Sequence, residues 1–427
     1  MTRHGWLVTT VPAALAAAVA APGIGHPVLA QGEAATLSAV TRSVPDLVRS
    51  LDDADVVLTG YHLLLRLWTA VAGTSPEALR VPSVVAAACA AALTAVVALR
   101  LAGPAAGWLA GVVVAVCPAV TGHAREARPH ALALAVAAGV TLLLVLALER
   151  PEWRRWAWWA LGLVVLGATQ LAAVLLLPAH AVVILLRRRE VPLRRPAAAA
   201  LAAVVVLLPL AYLGLRQRDA VAWIPGTTWQ AVWTLPAGIF GSRPLAVLVI
   251  GVGAVGVLLA RSPAPAAVAG FVIAVLPPVL LVAVSFALPL LQPQYLLFTV
   301  VGWALFAGSA VAGRSVPVVV AVVVAVAASA TPAQVELWQQ RGRPASSAAG
   351  GLSVGLSGGL SGVLDAGLPG APPGADQPVA TFVACTSPSW FVHTATPATV
   401  FVANVGVFGG SGRGLPVVLQ GNQPSVA

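Results

Sequence analysis

Acidic side chains are concentrated in one segment of this chain, residues 23–80, between its first two long apolar runs. The segment holds six of the 14 Asp and Glu residues, namely Glu33, Asp46, Asp52, Asp53, Asp55 and Glu77. A carboxylate beside a hydroxyl can act as a general base. We therefore predict acid–base chemistry in this loop. Plain solvent exposure, the usual state of a carboxylate, is the favoured interpretation for Asp46, Asp52 and Glu77, and it stays an alternative for Glu33 and Asp55.

A second group of ionisable residues lies in a short turn between two later apolar runs, with the sequence His123-Ala124-Arg125-Glu126-Ala127-Arg128-Pro129-His130. Two arginines can bind a phosphate through charge-assisted hydrogen bonds. The alternative is that Glu126 pairs with Arg125 or Arg128, since charges at a membrane edge usually pair. His123 and His130 have no carboxylate at ligand spacing, so we predict no metal site here, and a divalent cation stays an open alternative.

The elements that hold these groups are predicted to be membrane-spanning helices. Hydrophobic residues make up 59% of the chain, charged residues 9%, and the mean hydropathy is +0.92, which excludes an ordinary soluble protein. A span needs roughly 17–25 apolar residues. Single spans are predicted at 6–22, 82–99, 104–120, 130–148, 197–215, 244–260, 266–288, 295–312 and 316–331.

Length alone does not decide how residues 157–186 cross the membrane, because this stretch is too long for one upright helix and short for two. The charges on either side of it do. Arginine clusters flank it at 150–155 and 187–195. A hairpin that turns near Gln170 keeps both clusters on the cytoplasmic side, as the positive-inside rule favours. The sequence thus predicts an all-α polytopic membrane protein of about eleven spans in the plasma membrane. Its N-terminus is cytoplasmic, and the 23–80 loop and the C-terminus are extracytoplasmic.

The predicted domains are a transmembrane domain over 1–331, a Gly/Ser/Pro-rich linker over 332–376 and a small outer segment over 377–427. Within the last, Val379–Val383, Thr399–Asn404 and Leu415–Leu419 are β-prone. In the 23–80 loop, apolar residues from Leu63 to Trp68 predict a helix that lies in the membrane interface. A secretory signal cleaved after Ala30 is the alternative for the first span.

Short motifs in a fixed order give the chain a family resemblance. They are Glu33-Ala34-Ala35-Thr36, Asp55 with Tyr61, Glu77-Ala78-Leu79-Arg80-Val81-Pro82-Ser83, the 125–132 segment and His180 before an arginine cluster. In this order they resemble the actinobacterial mannosyltransferase-type branch of the GT-C glycosyltransferases, which are relatives of the protein O-mannosyltransferases. The likeness covers about residues 5–315 and is strongest over 31–150.

The resemblance implies a multi-span inverting enzyme that uses a polyprenyl-phosphate sugar, mannose in this branch, and transfers it to an acceptor hydroxyl at the outer membrane face. Glu33 is then the general base and Asp55 a second acid or an acceptor-binding group. Arg125 and Arg128 hold the lipid phosphate. The remaining substrate-binding residues carried over are Glu126, His130, Tyr61, His62, Gln294 and Tyr295. The acceptor, a protein, glycolipid or polysaccharide, is not given by the sequence.

Departures from the family pattern leave two further hypotheses open. Gly32-Glu33 stands where the family usually has Asp-Glu, and Gln294-Tyr295 where it often has Arg-Tyr. Glu33 or Asp55 takes the place of the missing Asp, or the chain is a catalytically silent member that binds a lipid-linked sugar. A transporter or flippase is less favoured, because the predicted spans are almost free of charge and only Gln170 and His180 are polar at depth.

Overall fold

The structure is a computed structural model that describes residues 5–25, 29, 31–42, 56–218, 224–260 and 264–339, together with the backbone of three strands nearer the C-terminus. Internal contacts divide the chain into two units, Met1–Gly342 and Arg343–Ala427. The first unit is helical and contains every candidate site residue. Asp55, Asp46, Asp52 and Asp53 lie outside the described residues.

The described helices are numbered here in chain order. They are α1 Leu7–Ala20, α2 Gln31–Thr41, α3 Thr59–Ala72, α4 Pro76–Ala102, α5 Pro104–Val116, α6 Pro118–Ala124, α7 His130–Glu149, α8 Trp153–Thr169, α9 Leu176–Leu186, α10 Arg194–Arg216, α11 Trp229–Phe240, α12 Arg243–Leu258, α13 Pro265–Ser285, α14 Val300–Ala310 and α15 Val316–Gln339. Short 3-10 turns at Val56–Leu58, Leu171–Leu175 and Pro293–Thr299 lead into α3, α9 and α14.

Long apolar helices make the body of this unit. Five described helices are long and apolar enough to cross a membrane, or seven if the bent pairs α5–α6 and α11–α12 each count as one span. The predicted polytopic membrane fold is thereby confirmed, and the count of about eleven spans stays a prediction. Small residues permit the closest packing: a Cβ on Gly270 would lie 2.5 Å from the Phe306 backbone nitrogen, so α13 and α14 meet backbone to backbone.

The hairpin predicted within 157–186 is confirmed. Gln170 has extended backbone angles, φ −154° and ψ 105°, and separates α8 from the turn into α9. The Arg195 guanidinium donates to the Pro151 carbonyl, so both arginine clusters lie at the same end of the bundle. The Arg100–Glu149 ion pair, 3.1 Å long and exposed, lies at that end too.

The opposite end of the bundle carries residues 29–42, 56–83 and 118–130, and we call it the loop end. Here α3 buries Tyr61, His62 and Leu65 and exposes Leu67 and Val71, as the predicted interfacial helix requires. A small core of Val40, Tyr61, Leu65, Leu79 and Ala127 joins α2 and α3 to the first turns of α4 and to the 125–130 turn. Residues distant in sequence are thus brought to one place.

The last helix of the first unit and the strands of the second correct the sequence boundaries. Helix α15 continues to Gln339, and Gln334 on it donates to the Val116 carbonyl and to Thr121 Oγ1, both at 2.9 Å. A linker that begins at 332 is therefore wrong over these residues. The second unit contains an antiparallel sheet of β1 Ala380–Val383, β2 Ser389–Thr396 and β3 Thr399–Gly406, in that order. The β-prone stretch at 415–419 lies outside the described residues.

Candidate functional site

Glu33, the predicted base, is held in a buried ion pair. It lies in the first turn of α2 and is 2% exposed. Arg80, near the start of α4, donates from Nε to Glu33 Oε1 at 2.8 Å and from Nη2 to Oε2 at 2.7 Å. The Ala127 backbone N–H also donates to Oε1 at 2.9 Å. The carboxylate thereby ties three segments together, and Oε1 already accepts two hydrogen bonds.

The two arginines predicted to bind phosphate point to different partners. Arg125 donates from Nε to the Ala20 carbonyl at 3.0 Å and from Nη2 to the Val19 carbonyl at 2.9 Å. These carbonyls lie at the C-terminus of α1, which carries negative partial charge and favours a cation. Arg125 therefore anchors α1, and this geometry does not support the phosphate-binding role predicted for it.

Arg128 is the second arginine of the 123–130 segment. It is half-buried, and its guanidinium makes no hydrogen bond or ion pair with the residues that the structure describes. It passes over Gly32: a Cβ added there would lie 2.3 Å from Arg128 Nη1. A side chain at position 32 would therefore meet the end of the Arg128 side chain.

Tyr61 adds a buried hydroxyl within electrostatic range of this cation. The residue is 2% exposed, and the hydroxyl, though close to Ser83, makes no hydrogen bond of normal geometry within the described part of the chain. Burial raises the pKa of the Tyr61 phenol, with smaller effects from the charges of Glu33, Arg128 and Glu126. The group is therefore a neutral hydrogen-bond donor. His62, beside it with ring centroids 6.0 Å apart, is also buried.

His130 is fixed by a chain of hydrogen bonds that reaches Tyr295. Gln170 Nε2 lies 3.0 Å from the Tyr295 carbonyl, and Gln170 Oε1 lies 3.0 Å from His130 Nδ1. Because a carbonyl only accepts, the amide nitrogen of Gln170 faces Tyr295 and its oxygen faces His130. His130 therefore carries its proton on Nδ1 and presents Nε2 as an acceptor. The Tyr295 ring lies 6.1 Å from the His130 ring, so both belong to the site.

His123 and Glu126 pair with each other across the same turn. His123 Nδ1 lies 3.0 Å from Glu126 Oε2, and the two side chains are 22% and 40% exposed. The His123 ring also stands edge-on to that of His130, with centroids 5.0 Å apart. Glu126 was expected to pair with an arginine as an alternative to binding substrate, and its partner is His123 instead. Gln294 is half-buried in the 3-10 turn beside Tyr295.

The structure thus brings together Glu33, Tyr61, Arg128, Glu126, His130 and Tyr295, and directs Arg125 elsewhere. Sequence reasoning missed Arg80, Gln170 as a site residue and the His123–Glu126 pair. Arg80 had a detectable signal, since an arginine at the start of an apolar span needs a partner. Within the described ranges no group of three His, Cys, Asp or Glu side chains could hold a metal ion.

Comparisons with known proteins agree with the helical architecture. Residues 60–213 match the model of a family described as dolichyl-phosphate-mannose-protein mannosyltransferase. No curated protein sequence matches the chain. The structure of ArnT from Cupriavidus metallidurans bound to undecaprenyl phosphate is similar at 15% identity and a TM-score of 0.50, over 74% of this chain and 61% of ArnT. Arabinosyltransferase EmbB from Mycobacterium smegmatis gives 18% identity and a TM-score of 0.47, over 72% of this chain and 30% of EmbB.

Proposed function

We propose that this chain, a multi-pass membrane protein with the GT-C glycosyltransferase fold, transfers a sugar from a polyprenyl-phosphate donor to an acceptor hydroxyl. Mannose is the sugar we propose, on the family match over residues 60–213. The chemistry takes place at the loop end, which we propose to be the extracytoplasmic side. This orientation follows from the arginine clusters at the opposite end and the positive-inside rule.

The single observation that carries the proposal is the open guanidinium of Arg128. A half-buried cation and a buried hydroxyl without a hydrogen bond, near enough for the Arg128 charge to act on the Tyr61 phenol, form an incomplete arrangement, because desolvated polar groups normally have partners. A phosphate oxygen completes it, since it accepts from the guanidinium and from the Tyr61 hydroxyl. The similar ArnT structure contains undecaprenyl phosphate, which supports a lipid phosphate as the ligand here.

The reaction needs a group that accepts the acceptor proton and groups that stabilise the leaving phosphate, and the site contains both kinds. The acceptor oxygen attacks the anomeric carbon, the bond from that carbon to the phosphate oxygen breaks, and the acceptor proton passes to a base. Negative charge grows on the departing phosphate oxygen, and Arg128 stabilises it more strongly in the transition state than in the ground state. Tyr61 stays protonated and donates to the same group.

Glu33 has a positioning role in this proposal. Its two oxygens hold Arg80, and Oε1 also holds the Ala127 N–H, one residue before Arg128. The pair therefore fixes the backbone of the turn that presents Arg128. Asp55 keeps the role predicted from the resemblance, as a second acid or an acceptor-binding group, and it lies outside the described residues.

The proposal is tested with purified protein in lipid nanodiscs and radiolabelled undecaprenyl-phosphate mannose, with undecaprenyl-phosphate arabinose in parallel. Release of free undecaprenyl phosphate in the presence of cell-envelope extract reports turnover even while the acceptor is unidentified. We expect release from the mannose donor by the wild type and a loss of about 10²–10³-fold in R128Q, as for removal of one oxyanion donor. R100Q is the matched control, because Arg100 lies in the exposed pair at the opposite end.

A catalytically silent binding protein is the second candidate function, and the engagement of Glu33 with Arg80 favours it. Gly32 supplies no carboxylate, and both oxygens of Glu33 accept hydrogen bonds from Arg80. A silent protein binds undecaprenyl phosphate in an Arg128-dependent way and releases none from the labelled donors. A transporter instead moves labelled lipid-linked sugar across sealed vesicles without cleaving it.

A further inference from the structure

The proposed transfer needs a base, and the described carboxylate predicted for that work is engaged. Position 32 is a glycine, so it has no side chain to accept a proton. Glu33 binds Arg80 through both oxygens. Among the described residues, another group is then needed to take the proton from the acceptor hydroxyl, and its assignment rests on the proposed function.

We propose that His123, oriented by Glu126, is the general base of the transfer. His123 lies at the end of α6, Glu126 lies in the turn that follows and also carries Arg128, and the His123 ring contacts that of His130 at a centroid distance of 5.0 Å. Acid–base and phosphate-binding groups are thus supplied by one short segment, residues 123–130.

The tautomer of His123 follows from its partner. An ionised carboxylate only accepts hydrogen bonds, so at 3.0 Å from Glu126 Oε2 the Nδ1 atom of His123 carries the proton. The other nitrogen, Nε2, then has its lone pair free to accept. It makes no hydrogen bond to any residue in the described part of the chain. A carboxylate behind an imidazole also stabilises the imidazolium that forms when Nε2 takes a proton.

Accessibility separates this histidine from the other three in the described part of the bundle. His123 is 22% exposed at the loop end, whereas His62 is 6% exposed, His130 is 4% exposed and His180 is fully buried. A base has to reach the acceptor hydroxyl within about 2.6–3.2 Å, or through one water. Of these four imidazoles, His123 is the one that a substrate can approach.

The step balances without any further reagent. The acceptor O–H bond breaks and its proton moves to His123 Nε2. A bond forms between the acceptor oxygen and the anomeric carbon, while the bond from that carbon to the phosphate oxygen breaks. The electron pair of that bond leaves with the polyprenyl phosphate, which Arg128 binds. The proton on His123 is later released to water.

The experiment compares H123G, H123Q, E126Q and the double variant H123Q/E126Q in nanodiscs, with undecaprenyl-phosphate mannose and cell-envelope extract. We expect kcat to fall about 10²–10⁴-fold in H123Q, the usual contribution of a general base. Donor affinity, measured by competition with undecaprenyl phosphate, stays within threefold of wild type. Added imidazole restores part of the turnover of H123G, which a merely structural histidine does not allow.

Glu126 acts through His123 and is a positioning residue, so its effect is not additive with that of His123. E126Q lowers kcat because its amide can donate to Nδ1 and select the wrong tautomer. The double variant is then no slower than H123Q alone. E149Q, an exposed acid at the opposite end, is the matched control and keeps wild-type turnover.

Several outcomes overturn the inference. Turnover of H123Q within threefold of wild type excludes His123 as the base and leaves the proposed function intact. A loss of donor affinity that accounts for the whole loss of turnover makes His123 a ligand of the donor and overturns the base assignment. Absence of any release by the wild type, together with Arg128-dependent binding, makes the chain a silent binder, and the proposed function and the inference fall together.

Discussion

Two buried polar clusters of this membrane protein differ in whether their hydrogen bonds are complete. Within the bundle, Trp159 Nε1 donates to His180 Nδ1 at 3.2 Å, and His180 Nε2 lies 3.3 Å from Thr141 Oγ1. The Thr141 hydroxyl donates to the Ala137 carbonyl at 2.8 Å, so His180 Nε2 carries the proton and the side-chain nitrogens of Trp159 and His180 are all hydrogen-bonded. At the loop end, Arg128 and the Tyr61 hydroxyl have no such partners within the described residues.

The difference separates structure from function. A complete network in a low-dielectric interior rigidifies the fold and gains nothing from a ligand. An incomplete one is costly until a ligand supplies the missing partner. We therefore assign the His180 cluster to packing of α7, α8 and α9, and the loop-end cluster to binding and chemistry. The variants below test this division, from the largest expected effect to the smallest.

The largest effect is expected at the Glu33–Arg80 pair. E33L leaves the Arg80 charge buried without its carboxylate, which costs about 3–5 kcal/mol. Apparent thermal stability in detergent, read by a fluorescent thiol or tryptophan assay, should fall sharply. The double variant E33L/R80L removes both charges and should regain most of that loss, because well-packed apolar residues replace buried pairs at little cost.

Turnover of the same double variant decides between two roles of Glu33. If Glu33 positions the turn, as we propose, restored folding brings back a measurable part of donor cleavage. A stable double variant that binds undecaprenyl phosphate and cleaves none of the donor returns the role of base to Glu33. The wild-type protein and the single variant R80L complete the double-mutant cycle. The thermal stability of R80L should be as low as that of E33L.

Arg125 provides the next contrast, within the loop end itself. R125Q removes the charged donors from the Ala20 and Val19 carbonyls, and hydrogen bonds of charged groups are worth about 1.5–3 kcal/mol. We expect lower thermal stability and an unchanged affinity for undecaprenyl phosphate. R128Q should show the reverse, a normal melting temperature and weak binding. If both variants lose affinity equally, Arg125 regains the phosphate-binding role that the sequence predicted.

Sequence patterns predicted the helices better than the side-chain partners, for a physical reason. Hydrophobic length and arginine placement are local properties of the sequence. The length of residues 157–186 left one span or two open, and the flanking arginines favoured a hairpin that turns near Gln170. The partner of Glu33 depends on tertiary packing of residues 47 positions apart, which no local pattern encodes. The identity of the open cation was hidden in the same way, because Arg125 and Arg128 are equivalent until α1 is in place.

At position 32 the sequence shows which side chain is missing but not which group lies near the resulting space. The sequence indicated a missing carboxylate, and that is correct as far as it goes. The guanidinium of Arg128, which lies over this residue without a side chain, is visible only in three dimensions. The chemistry of the site has to be derived with that neighbour included.

The His180 cluster is expected to respond in stability alone. H180F leaves the Trp159 N–H without an acceptor, and a buried unsatisfied group costs about 1–3 kcal/mol. Melting temperature should fall, while kcat and donor affinity of the folded protein stay at wild-type values. A selective loss of turnover in H180F, with normal stability, would move the interior cluster into the functional class and break the comparison.

The smallest effect on stability, and the most telling, is expected from Tyr61. The hydroxyl is buried without a hydrogen bond of normal geometry, so Y61F removes a polar atom that the ligand-free fold does not satisfy. Thermal stability should stay level or rise, in contrast to H180F, because loss of an unsatisfied group relieves its desolvation cost. Donor KM should rise several-fold, since the phosphate loses a neutral donor whose raised pKa keeps it protonated. Equal donor KM in Y61F and wild type would mean that the open hydroxyl is a packing defect, and only Arg128 would then remain as the marker of the site.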